Sequence, residues 1–188
     1  MDQYEICKPQ GIIIFGLNGS GKTTLGREVA KILDFKHMDI EDYHFHESEI
    51  PYSNPRTQDE CLELMLADIK KHHSFVITIV NGDYLGEEIL SMCIFAVYLV
   101  APIEARIKRI EQRGYDKFGG RVCVGGDMHE QELKFRKFVA ARSSERIEQW
   151  SNAFKQPIVS VDGMEDYKNN AINIARLYNE FLGKRLVE

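Results

Sequence analysis

The sequence predicts a layered α/β domain built on a parallel sheet, and three observations predict it. Five short apolar runs rich in β-branched residues alternate with stretches at helical spacing. The first run, Gly11 to Phe15, is apolar on both parities, as a strand covered on both faces must be. A glycine-rich turn then joins that run directly to a helix, and alternating strands and helices are the form that right-handed crossovers lay over a sheet.

The elements follow in order. After the turn, Leu25, Val29, Ala30 and Leu33 fall on one helical face. Phe35 to Met38 begins a second short strand that runs into acidic residues, and from Asp42 to Pro55 the chain is polar, aromatic and broken by prolines. Cys61, Leu62, Met65, Leu66 and Ile69 mark an amphipathic helix, and further strands are expected at Phe75 to Val80, Ile94 to Val100 and Pro157 to Val161. With 188 residues, 44% of them apolar, and no repeat or low-complexity linker, one domain over residues 1–188 is expected.

Composition narrows the function. Lysine and arginine number 24 against 29 acidic residues, and the resulting charge of −5 argues against a broad electrostatic grip on nucleic acid or an anionic membrane. Cys7, Cys61, Cys93 and Cys123 are far apart and form no Cys-x-x-Cys pair, as free thiols of a reducing compartment would be. Met1 to Gln10 has no apolar leader core, and the longest apolar stretch, Cys93 to Pro102, is too short to span a bilayer. A cytoplasmic protein, monomeric or homodimeric, is expected.

The segment Gly16-Leu17-Asn18-Gly19-Ser20-Gly21-Lys22-Thr23 matches G-x-x-x-x-G-K-[ST] completely, between a predicted strand and a predicted helix. Glycines let backbone N–H groups turn inward around phosphate oxygens, and the helix start adds free donors and a positive dipole end. Lys22 is placed to neutralise the β and γ phosphates of ATP, and the Thr23 hydroxyl to ligate the bridging Mg²⁺. Gly16, Asn18, Gly19, Ser20, Gly21, Lys22, Thr23 and Thr24 are therefore the expected nucleotide-binding residues, Thr24 already inside the helix.

With this loop and the acidic segment His37-Met38-Asp39-Ile40-Glu41-Asp42-Tyr43, the chain resembles the nucleoside-monophosphate-kinase-like group of P-loop kinases, which includes adenylate, shikimate and gluconate kinases. The resemblance covers nearly the whole chain. It implies a three-layer P-loop fold whose five parallel strands run in the order 2-3-1-4-5, with an acceptor-binding helical insert near residues 42–72 and a lid near 113–129. It further implies that Asp39, at the end of strand two, faces the acceptor hydroxyl, so that Asp39→Asn would spare ATP binding and reduce transfer.

Asp42 and Arg56 are candidate acceptor ligands, and Tyr43, His44, Phe45 and Tyr52 supply aromatic faces there. Three carboxylates within four positions cannot all point into one cleft from an extended chain, so Glu41 and Asp42 remain alternatives to Asp39. His44-Phe45-His46 alternates as a strand would, though without a third ligand a metal pair is disfavoured.

Arg106, Arg109 and Arg113 recur at helical spacing, and Arg121 is bracketed by Gly119-Gly120 and Gly125-Gly126, which read as hinges. Phosphoryl transfer needs positive charge gathered around the reacting oxygens, which suits arginines on a closing segment. Arg109 is the candidate nucleotide contact and Arg113 and Arg121 are candidate catalytic residues, with Arg142 competing; a solvated basic face is the alternative for Arg106 and also for Arg109. Many relatives carry Asp-Gly at the end of strand three. Here Asn81-Gly82-Asp83 stands instead, leaving Asp83 or Asp39 for the metal's water shell, with Asp83 also a candidate acceptor ligand beside Asp42 and Arg56. The expected activity is transfer of the γ-phosphoryl of ATP to a small molecule, either a nucleotide or a hydroxyl metabolite. The alternative is a nucleotide-binding regulator or slow ATPase.

Overall fold

In the computed structural model, which describes residues 8–46 and 54–185, β1 (Gln10–Phe15) lies at the centre of a parallel sheet. It pairs with β3 (Ser74–Ile79) on one side and β4 (Cys93–Val100) on the other. β2 (Lys36–Asp39) extends the sheet beyond β3, and β5 (Ile158–Asp162) beyond β4, giving the order β2-β3-β1-β4-β5. The sheet order expected from the resemblance is the order found.

Alternating side chains send β1 into two cores. Ile13 and Phe15 pack with Met65 and Ile69 of α3 (Gln58–His72), Ile89 of α4 (Gly86–Met92), and Ile147 and Trp150 of α7 (Glu145–Ala153). Ile12 and Ile14 pack on the opposite face with Leu25 and Val29 of α1 (Lys22–Leu33) and Ile174 of α8 (Tyr167–Arg185). Helices on both faces of a central sheet complete a three-layer α/β architecture. α3 opens with a capping box, in which the Thr57 side chain accepts the Glu60 N–H and the Glu60 carboxylate accepts the Thr57 N–H.

The structure departs from the sequence reading after β2. Asp39 ends the strand and caps one turn of helix, α2 (Ile40–His44), by accepting the Glu41 N–H. His44 closes that helix and Phe45 pairs with Pro55, so His44 and His46 do not alternate along a strand. The His44 ring bonds instead to the Tyr84 hydroxyl at 3.1 Å. After α5 (Ile103–Phe118) comes a single 3-10 turn, Gly119–Val122, and a loop leading to α6 (His129–Ala141). Tyr52, Cys7 and most of the segment Met1 to Gln10 lie outside the described residues. No described helix is long and apolar enough to cross a membrane.

Candidate active site

The glycine-rich loop turns out of β1 through three glycines with positive φ: Gly16 (150°), Gly19 (81°) and Gly21 (104°). A Cβ would be strained at each, and at Gly16 and Gly19 it would also run into the carbonyl oxygens of Leu99 and Arg106. The loop therefore fits against β4 and α5 only as bare backbone. Lys22 Nζ donates to the Leu17 carbonyl at 3.1 Å, arching over the loop. Burial pushes the Lys22 ammonium down to about 8, against the pull of Glu41 and Asp39 and with the help of Arg113 and Arg142.

Asp39 is 8% exposed, and both its oxygens are engaged. Thr23 Oγ1 donates to Oδ2 at 2.7 Å, and the Glu41 N–H donates to Oδ1 at 3.2 Å. The turn into α2 carries Glu41 and Asp42 onto the wall of the same cleft. Desolvation there, with Asp39 alongside, raises the Glu41 carboxyl against the opposing charges of Arg113 and Lys22. The Asp42 carboxyl is also raised, by desolvation and by Asp39.

α5 brings its arginines to the loop. Arg109 donates to the Ser20 carbonyl at 2.9 Å and to the Gly163 carbonyl at 2.7 Å, tying the loop to the turn after β5. Arg113 lines the cleft one helical turn further on. Arg106 is 5% exposed and bonds to the Asn18 carbonyl, which corrects the reading of it as part of a solvated face. The cleft enclosed by the loop, Asp39 to Asp42, Arg109, Arg113 and Gly163 to Tyr167 has a volume of ≈ 780 Å³.

Three other expected residues stand apart from this cleft. Arg56 directs Nη1 to the carbonyls of Tyr43 and Phe45, both at 2.8 Å, bracing the end of α2. Asp83 pairs with Arg146 at 3.4 Å and accepts from Asn81 at 3.1 Å. Arg121 forms a forked ion pair with Asp127 of its own loop, with Nη2 to Oδ2 at 2.7 Å. Sequence reasoning underrated Arg142, whose Nη1 reaches the Asn18 side-chain oxygen at 3.0 Å, and missed Arg27, which lines the cleft beside Asp42. Neither position belongs to a motif with fixed spacing.

The site can hold a polyphosphate tail in a backbone nest with one ammonium group, beside a hydroxyl–carboxylate pair and the carboxylates of Glu41 and Asp42. Comparison with known proteins gives a matching picture. A family model described as AAA domain matches residues 12–134. Shikimate kinase of Clostridium botulinum (strain ATCC 19397 / Type A) is 28% identical over 184 residues, covering 93% of this chain and 99% of that protein. Shikimate kinase from Acinetobacter baumannii, solved in complex with shikimate, aligns at TM-score 0.54 and 17% identity over 94% of this chain and 96% of that one. Deoxyadenosine kinase from M. mycoides aligns at TM-score 0.52 and 19% identity over 90% of this chain and 99% of that one. The chain thus belongs to the AAA-domain family, as a P-loop kinase of the nucleoside-monophosphate-kinase-like group.

Proposed function

We propose that the protein transfers the γ-phosphoryl group of ATP to a hydroxyl of a small-molecule acceptor held against α2. The observation that carries this reading is that one cleft joins the phosphate nest to the carboxylates of the β2–α2 turn. The loop amides and Lys22 take up phosphate charge, and Arg113 adds positive charge on the far wall.

The Thr23 hydroxyl and Asp39 carboxylate, 2.7 Å apart, are hard oxygen donors of the kind Mg²⁺ prefers, and one or two protein ligands suffice where phosphates supply the rest. Mg²⁺ bound there would neutralise charge on the phosphate oxygens. Because this contact occupies Asp39, Asp39 serves the metal and Glu41 serves the acceptor, a reversal of the role first expected for Asp39. The raised Glu41 carboxyl suits a group that orients the acceptor hydroxyl and takes its proton as the new P–O bond forms and the bond to ADP breaks.

Support for small-molecule acceptors comes from the relative named shikimate kinase and, at the level of fold, from the structural neighbour named deoxyadenosine kinase. The lid reading rests on the glycine-flanked Arg121 loop, and a cytosolic setting accords with Cys61 and Cys123 as free thiols. The test is ADP release measured over a panel of polyols, sugar acids, shikimate-like rings and nucleosides, with Lys22→Met as control. Release that depends on one acceptor class and vanishes in the control supports transfer. Acceptor-independent hydrolysis, or ATP binding without turnover across the panel, favours the regulatory alternative.

A further inference from the structure

Arg106 is a buried cation that the proposed chemistry does not use. It lies on the face of α5 that meets the phosphate loop, one turn before Arg109, and is 5% exposed. Nη1 donates to the Asn18 carbonyl at 3.3 Å, and Nε is buried with no partner. Among the described residues no carboxylate lies within ion-pair distance of it. Glu104, on the same helix, and Tyr98, on β4, are the groups whose fields favour its charge, and burial opposes them. Its own backbone oxygen sits where a Cβ on Gly19 would fall, at 2.5 Å, so helix and loop are in direct contact here.

An arginine buried to this degree, with Nε enclosed and unpartnered, is costly unless something compensates its charge. A carbonyl dipole at 3.3 Å is a weak acceptor for a full cation. Behind Asn18 and Gly19 an anion on the far side of the loop would supply what the free protein lacks. Asn18 is also held through its side chain, whose oxygen accepts from Arg142 Nη1. Arg106 of α5 and Arg142, just past the end of α6, therefore both fix one residue of the cradle.

We propose that Arg106 is a positioning residue of the phosphate site: it holds the Asn18 carbonyl outward so that the following amides face the ligand, and it is an uncompensated charge that the triphosphate satisfies. The inference rests on the kinase reading and deepens it.

The test separates this role from ordinary packing by sign. Arg106→Met keeps the apolar stem and removes the charge, whereas Arg106→Lys keeps the charge and removes the fork. Thermal unfolding without nucleotide and calorimetric titration with MgATP would be measured on the whole chain for wild type and both variants. The expected result is that Arg106→Met melts at or above the wild-type temperature without ligand yet binds MgATP about tenfold or more weakly, the range of one charge-assisted contact. Arg106→Lys should recover part of that affinity. A lowered melting temperature in Arg106→Met, with MgATP affinity within about threefold of wild type, would make Arg106 a packing residue and overturn the proposal. If wild type itself takes up no MgATP, the kinase reading falls and this inference with it; wild-type uptake with an unaffected variant removes the inference alone.

Discussion

Lys22 is held in the free protein with its ammonium near pKa 8, from an ordinary value of 10.5, because burial outweighs the nearby carboxylates. The folded state therefore binds fewer protons than the unfolded one between those values. The cost of burying the charge is present in full below about pH 8 and fades as pH rises toward 10.5. Triphosphate oxygens reverse the shift, so nucleotide binding near pH 9 should take up a proton. Calorimetry in two buffers of different ionisation enthalpy measures this, and uptake that persists in Lys22→Met would assign it elsewhere. At the neighbouring carboxylates the expectations divide. Glu41→Gln should lower kcat by about 10²-fold or more with MgATP affinity unchanged. Asp39→Asn should weaken nucleotide binding only when Mg²⁺ is present, and equal weakening with and without the metal would remove Asp39 from that duty. The loop residues were legible because their spacing encodes backbone geometry. Arg106 and Arg142 were not, because their partners lie 88 and 124 residues away and Arg106 bonds to a carbonyl that any sequence could supply.

α2 is the element on which the acceptor side turns, and five residues are too few to show a helical period. Its position comes from long-range bonds: Arg56 to the Tyr43 and Phe45 carbonyls, and the Tyr43 hydroxyl to Asp68 Oδ2 at 2.6 Å. The second bond holds the Asp68 carboxyl below its usual range, so its stabilisation is present above the ordinary carboxylate pKa and is lost as pH falls through the lowered value. Asp68 is partly exposed, which keeps the effect small. Tyr43→Phe should cost about 1 kcal/mol or less near neutrality and nothing in strong acid. Urea melts at several pH values check this, and a pH-independent loss would mean that packing, not the hydrogen bond, is what Tyr43 supplies. α3 was legible from its apolar spacing, while its Thr57–Glu60 cap, though local in sequence, went unread; Thr57→Ala should lose about 1 kcal/mol in the same melts.

Across the whole molecule, the two cores meet at β1, and Phe15 is fully buried between a stacked Tyr98 and an edge-on Trp150. Phe15→Ala should cost about 3–5 kcal/mol and lower the denaturant midpoint with its slope unchanged. A loss near 1 kcal/mol would show that the surrounding rings close the gap. Strand identity was readable from apolar runs and their parity. Strand order was not, because periodicity carries no record of which neighbour a strand pairs with. The order came from resemblance, through the P-loop and the acidic turn after β2.

A side chain on Gly16 would strike the Leu99 carbonyl, and one on Gly19 the backbone of Arg106. The cradle is therefore translated well ahead of the surfaces that mould it. A ribosome-stalled chain ending within β3 should pass through immobilised ATP, while one long enough to free α5 from the exit tunnel should be retained. During synthesis, then, the capacity to recognise nucleotide arrives abruptly, with a helix that contains none of the loop's own residues.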